Sequence, residues 1–425
     1  MFKKSPLAIA VLLIGASPAM ADNFSQQTQA GTANKAVVEQ LGGRSSANQD
    51  QNGERNRATV SQVGSVGSVS QTQVGSFNRL DADQYLAGRG SQIRQVQDGH
   101  ANEGEARQVG GQGNSIRQIQ DGHRNDTSVV QLQGTNNSAT TRQQGSHNDA
   151  SVRQEFGSHN RARVEQQGSL HGASAVQTRS NGGLIEIEQL GSLQSVQVYQ
   201  GDTGGNQAHV LQSGVNSTAL ITQVNQYGSR VDVQQFGGLQ HATLRQDRAD
   251  NSRIDTQQTG ERNSLDVEQS RGLNLSASVT QQGFFNRTDV EQSGRNNTLE
   301  LGAYGNGNRA LVSQSGANNE LFFDQNGSDD LLIADQRGHH NSFGGSTNGN
   351  LNRLELDQSG AYNRAYAHQS GHLNTAELVQ SGTHGSAYVG QYGSFNHAVV
   401  TQAGYNQVST IHQYGNANQA LATQR

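Results

Sequence analysis

The side chains that recur most regularly along this chain are primary amides. Glutamine stands at 29, 40, 51, 62, 73, 84 and 95, and again at 358, 369, 380, 391, 402, 413 and 424, in steps of 11. Between these zones two series run at a spacing of 23. One is Gln143, Gln166, Gln189, Gln212, Gln235, Gln258 and Gln281; the other is Gln154, Gln177, Gln200, Gln223, Gln246, Gln269 and Gln292. Ala303 and Thr347 stand where this phase expects glutamine. A carboxamide donates and accepts hydrogen bonds but does not titrate near neutral pH. The chemistry offered is therefore mutual hydrogen bonding, amide upon amide.

Reactive chemistry has little support. Of the 14 histidines, His147, His159 and His171 fall at turn positions and are expected to be exposed; His339-His340 is the only doublet, and no paired-ligand spacing appears. Asp329-Asp330 lies in a turn, without the Gly-Gly-x-Gly-x-Asp calcium repeat. The glycine-rich turns lack the Lys-Ser/Thr of a phosphate loop. Outside the less regular stretch from Gln95 to Gln143, no loop is long enough to build the cleft of an enzymatic β-helix, and no Thr-x-Thr ladder for ice is present. No catalytic residue, cofactor or metal is expected, and the chain does not read as an enzyme.

Something must position the amides. Lys3 and Lys4 precede an apolar run from Leu7 to Ala16 that ends at Ala19-Met20-Ala21, the pattern of a secretory signal peptide over residues 1–21 cleaved between Ala21 and Asp22. The apolar run is too short to span a membrane as a helix. Beyond it the chain has no Pro, Met, Cys or Trp. A disulfide framework is excluded, and nothing interrupts a backbone hydrogen-bond ladder. Without the leader, 28 basic residues face 35 acidic ones, which argues against nucleic acid as partner. At 31% hydrophobic residues a conventional globular core is not expected, leaving disorder or a repeat array.

The repeat decides for the array. Each unit reads Gln-x-Gly-x-x-Asn-x-Ala-x-apolar-x-Gln, as in Gln29, Gly31, Asn34, Ala36, Val38, Gln40 and in Gln391, Gly393, Asn396, Ala398, Val400, Gln402. Alternation at period 2 predicts a strand of about five residues. Gly-x-x-Asn predicts a tight turn of residues that tolerate positive φ. A helical reading of the 11-residue period fails on the glycine in every unit. Asn34, Asn56 and Asn78 alternate with Ser45 and Gly67 at the turn, so two units make one coil. In the 23-residue zone Ala162, Val164, Gln166 and Ala208, Val210, Gln212 keep their spacing, so the extra residue belongs in a turn at one corner. The expectation is an all-β solenoid over 29–425, after a short segment 22–28, with about 17–18 coils and a length of roughly 80 Å. Fixing a residue costs about 1–2 kcal/mol and a buried valine returns roughly 1.5–3 kcal/mol, so a unit cannot fold alone and must stack. Stacking sets Gln over Gln and Asn over Asn.

These residues resemble the curlin repeat of bacterial curli fibres, Ser-x5-Gln-x-Gly-x-x-Asn-x-Ala-x3-Gln. Ser45, Gln51, Gly53, Asn56, Ala58 and Gln62 fit it completely; Gln143, Gly145, Asn148, Ala150, Gln154 and Gln413, Gly415, Asn418, Ala420, Gln424 fit its Gln-to-Gln part. The resemblance covers nearly all of the chain beyond the leader. It implies a secreted, self-polymerising amyloid-like fibre subunit (fimbrium) at the cell surface, serving adhesion and biofilm. The implied partners are further copies of itself, other curlin subunits, a curli-type outer-membrane secretion pore and accessory chaperones. The sequence departs from familiar members in having far more repeats and no glycine-rich export segment before the first one. Its ending, Ala-Thr-Gln-Arg, resembles the minor, nucleating subunit more than the major one. A soluble surface adhesin is the alternative.

The pattern runs in phase to Gln424, so the terminal coils are expected to be uncapped polymerisation surfaces, with Gln413, Gly415, Asn418, Ala420 and Gln424 the more regular end. Charges fall on outward positions, as in Arg287, Asp289, Glu291 and Arg353, Glu355, Asp357. They predict a solvated face with cross-strand ion pairs, or an adhesive stripe for polysaccharide or host surfaces.

Overall fold

The computed structural model describes residues 22–425; the expected leader and Ala21 lie outside them, and Asp22 is exposed. The described residues form 36 strands, numbered β1 to β36 in chain order, with no helix among them. The chain divides into two compact units at Gly205 and Asn206. The first contains β1 (Phe24–Thr32) to β16 (Ser195–Gly201), eight coils of two strands; the second contains β17 (Gln207–Val215) to β36 (Gln419–Gln424), ten coils. Each unit is a parallel β-solenoid.

Within a unit, odd strands pair with odd and even with even, in parallel and in register one coil apart. β1 meets β3 (Ser46–Glu54) with Gln29 opposite Gln51 and Gly31 opposite Gly53. β2 (Lys35–Leu41) meets β4 (Arg57–Val63) with Ala36 opposite Ala58 and Gln40 opposite Gln62. Alternate side chains point between the two sheets, where Ala58, Val60 and Leu80 are fully buried. The strands are 6 to 10 residues long, longer than the expected five. In register, the segment after the ladder glutamine keeps its backbone hydrogen bonds to the next coil, so the strand continues through Gly31 to Thr32. The first strand also starts at Phe24, ahead of Gln29.

The corners differ. From β1 to β2 the chain turns on two residues, Ala33 and Asn34. From β12 (Asp149–Glu155) to β13 (Arg161–Ser169) it takes five, and there the extra residue of the 23-residue zone sits in a turn; in β22 (Ser264–Leu273) it is instead a bulge inside the strand, with Arg271 left out of the pairing between Ser270 and Gly272. The corner after β6 (Arg79–Tyr85), residues 86–90, is also five residues long, against three at 64–66 one coil earlier.

In-register stacking also decides the surface charges. Like residues lie over like, Arg57 opposite Arg79 and Asp266 opposite Asp289. Compensation therefore runs mostly along a strand, two residues apart, as in Arg79–Asp81 and Arg287–Asp289. Ion pairs between coils, expected to dominate, are fewer; Arg79–Glu103 at 3.0 Å is one.

Candidate functional site

The interior amides form ladders with one direction. Nε2 of each glutamine donates to Oε1 of its counterpart one coil later: Gln29 to Gln51 at 2.6 Å, Gln51 to Gln73 at 2.7 Å, Gln40 to Gln62 at 2.8 Å and Gln62 to Gln84 at 2.7 Å. In the second unit Gln391 donates to Gln413 and Gln402 to Gln424, both at 2.8 Å. The same nitrogens also donate to a facing backbone carbonyl, as Gln51 does to Lys35 and Gln402 to Ser386, both at 3.1 Å. A buried amide with both bonds uses both its donors, which offsets the cost of burying it.

A second glutamine ladder runs beside the first in the first unit. Gln27, Gln49, Gln71, Gln95 and Gln118 link at 2.7 to 2.9 Å. Sequence reasoning missed it, although Gln-x-Gln recurs at 27/29, 49/51, 71/73, 95/97 and 118/120. It also corrects one assignment: Gln95 is not the successor of Gln84 in the 11-residue series. The wide corner at 86–90 adds two residues, so Gln84 donates to Gln108 and Gln73 to Gln97. The less regular stretch thus carries the ladders without a break, through Gln97, Gln120 and Gln143.

The turn asparagines point inward. Asn56 N donates to Asn34 Oδ1 at 3.0 Å, and Asn56 Nδ2 to Gly75 O at 2.9 Å. Asn34 and Asn396 reach Gly53 O and Gly415 O in the same way, at 3.0 and 2.8 Å. The residue with positive φ is not this asparagine but the one before it, Ala33 at 57° and Arg55 at 53°. The asparagine is selected for its buried amide, so it sits one position beyond the left-handed residue. Glycine supplies the other positive φ, and at Gly31 a Cβ would lie 2.0 Å from Gly53 O. Gly393 repeats this against Gly415 O. Ala36, Ala58, Ala398 and Ala420 occupy the inward strand position that follows.

Several positions interrupt the columns. Ala303 and Thr347 replace ladder glutamines, and the next glutamines, Gln325 and Gln369, are left with Oε1 buried and without a donor. Asp330 replaces an asparagine. Its N donates to Asn308 Oδ1 at 3.1 Å, and its Oδ1 accepts from Asn352 N at 2.8 Å and Nδ2 at 3.1 Å. Where an asparagine turns Nδ2 to a glycine carbonyl, Asp330 presents Oδ2, a buried acceptor. Burial, assisted by neighbouring Asp329, pushes this carboxyl up to about 6. In the first unit His171 takes the asparagine position. It is buried and not exposed as expected; its N donates to Asn148 Oδ1 at 3.1 Å, and burial lowers its pKa.

Two edges are open. Among the described residues β1 and β2 pair only with β3 and β4, and β35 (Val408–Tyr414) and β36 only with β33 (Ser386–Ser394) and β34 (His397–Gln402). Ala36, Val38 and Gln40 are half-exposed although their counterparts Ala58, Val60 and Gln62 are buried, and Ala420, Ala422 and Gln424 are half-exposed likewise. Gln413 Nε2 donates to His397 O at 3.0 Å, Gln424 Nε2 to Val408 O at 2.8 Å and Asn418 Nδ2 to Tyr414 O at 2.9 Å.

The family model of the curlin associated repeat matches four stretches, residues 134–168, 272–302, 349–382 and 371–404. These stretches carry the curlin associated repeat. The first match lies in the first unit and the others in the second. Within 134–168 the curlin repeat supplies Gln143, Gly145 and Asn148, which are ladder amide, close-packed glycine and column asparagine. No curated protein matches the chain.

Proposed function

We propose that this curlin-repeat protein is the structural, non-catalytic subunit of an extracellular curli-type amyloid fibre. The β35–β36 edge of one copy stacks on the β1–β2 edge of the next. The observation that carries this reading is the shared direction and register of the two open edges. Continuing the ladder by one coil sets Gln413 over Gln29, Gly415 over Gly31, Asn418 over Asn34, Ala420 over Ala36 and Gln424 over Gln40. The edge at β35–β36 brings amide donors to the acceptors Gln29 Oε1 and Gln40 Oε1, as within the solenoid. Such a head-to-tail contact does not close on itself and grows a filament. The fibre would serve adhesion and the biofilm matrix, alongside other curlin subunits. Export would use the leader of residues 1–21, an outer-membrane pore and accessory chaperones, in keeping with the repeat.

The test is thioflavin fluorescence after dilution of residues 22–425 from denaturant, with and without preformed seeds. A lag phase abolished by seeds is expected. Ala420→Asp with Ala422→Asp, which puts charge on the open edge, should stop elongation while leaving the monomer's strand-type circular dichroism intact. A stable wild-type monomer would instead identify a soluble adhesin.

A further inference from the structure

The aromatic rings of the second unit gather on one outward sheet face. On β31 (Arg364–His372), β33 and β35, Tyr366, Tyr388, His368, Tyr392, His412 and Tyr414 all point away from the core. Tyr366 and Tyr388 stack at 5.5 Å and 8°, and Tyr392 and Tyr414 at 5.1 Å and 7°. His412 lies 4.9 Å from Tyr388, and His368 lies 5.4 Å from Tyr392. At the centre stands Gly390, where a Cβ would come within 3.2 Å of both the Tyr388 ring and His412 Nδ1. A side chain at this position would crowd both rings. Together with β29 (Ser342–Asn350), the outward positions of these strands hold no carboxylate, and Arg364 is their only fixed positive charge. The next odd strand back, β27 (Glu320–Ser328), already carries outward Glu320 and Asp324.

We infer that this face is a binding platform for a neutral β-linked polysaccharide. A row of stacked, partly exposed rings offers apolar area with phenol hydroxyls at its rim, the combination that suits a sugar's C–H face and its hydroxyls. The absence of charge selects against anionic polymers and against peptides that need an ion pair. The columns run across the strands, so the rings repeat once per coil and can meet successive sugars of one extended chain. The platform belongs to a single copy and holds whether or not copies stack.

The experiment is co-sedimentation of the full mature chain with microcrystalline cellulose, as soluble protein and as fibres, with cellohexaose as competitor and polygalacturonate as the anionic control. Wild type should pellet with cellulose, be released by cellohexaose and ignore polygalacturonate. Tyr388→Ser with Tyr414→Ser should weaken binding about tenfold or more. The corresponding Phe variants should retain it, because the ring faces act. Gly390→Leu, which lifts the rings while leaving all of them in place, should also weaken it several-fold. No retention of wild type overturns the proposal, as does equal retention of the serine variant. Loss of fibre bundling in the serine variant with cellulose binding unchanged also overturns it, and assigns the face to a second copy of the chain.

Discussion

In the second unit the two glutamine ladders are built on the same repeat but are not equally complete. On the even strands Gln223, Gln246, Gln269, Gln292, Gln314, Gln336, Gln358, Gln380, Gln402 and Gln424 link without a break at 2.7 to 2.9 Å. On the odd strands the run from Gln212 stops at Gln281, and the donors resume only from Gln369 to Gln391 and Gln413. Yet the odd strands stay in register across both gaps, with Gln281 opposite Ala303, and Gln325 opposite Thr347. The backbone pairing and the apolar inward residues hold the coils together. The amide ladder satisfies the interior and disfavours other registers. A missing rung is tolerated at the cost of an orphaned oxygen on the next glutamine.

The comparison can be broken most sharply in the intact ladder. Gln358→Leu strands Gln336 Nε2 and Gln380 Oε1, and should lower unfolding free energy by about 2–4 kcal/mol in denaturant titration. A loss no larger than that of an exposed substitution would mean that the ladder is ornamental. Asp330→Asn should be next, gaining about 1–3 kcal/mol at pH 7 by restoring the donor toward the glycine carbonyl. The wild-type Asp330 has a folded pKa of about 6, above its ordinary value of 3.8. Between these values the folded state binds more protons than the unfolded one, so its contribution favours folding at low pH and is lost as pH rises through about 6. The difference between variant and wild type should therefore shrink on acidification from pH 7 to pH 4; a constant difference would show that Asp330 does not titrate in the fold. Ala303→Gln should gain about 1 kcal/mol by giving Gln325 Oε1 a donor, and a loss instead would show that the coil has closed over the smaller residue. Arg337→Ala, which removes exposed pairs to Asp335 and Asp357, should change stability by less than about 1 kcal/mol.

Much of the fold was legible because the repeat states both of its periods. Alternation at two gave strands, and the glutamine phase gave coils and pairing; the extra residue, expected in a turn, lies in one after β12 but in a strand bulge at Arg271. The side of the chain on which Asn56 lies was not legible, since asparagine suits a left-handed turn as well as a buried column. Only the stacked structure shows the preceding Arg55 taking the turn while the amide goes inward. Gln95 was misplaced because Gln-x-Gln offers two residues of one type two positions apart, and both point inward. The burial of Asp330 and His171 was hidden for a related reason: polar residues in a turn read as solvated until a column through the corner is known. The aromatic face was invisible because Tyr366, Tyr388 and Tyr414 are brought together only by stacking coils.

The left-handed corners bear on time as well as on shape. Ala33, Arg55, Phe77, Leu170 and Phe395 all adopt φ near +55°. A residue with a Cβ resists that conformation by about 1–2 kcal/mol, and a chain searching alone meets this resistance at coil after coil before any ladder exists to offset it. An already folded edge supplies the offset at once. The first coil of an isolated chain is thus the slow one to form, and each later coil closes faster against the edge already made.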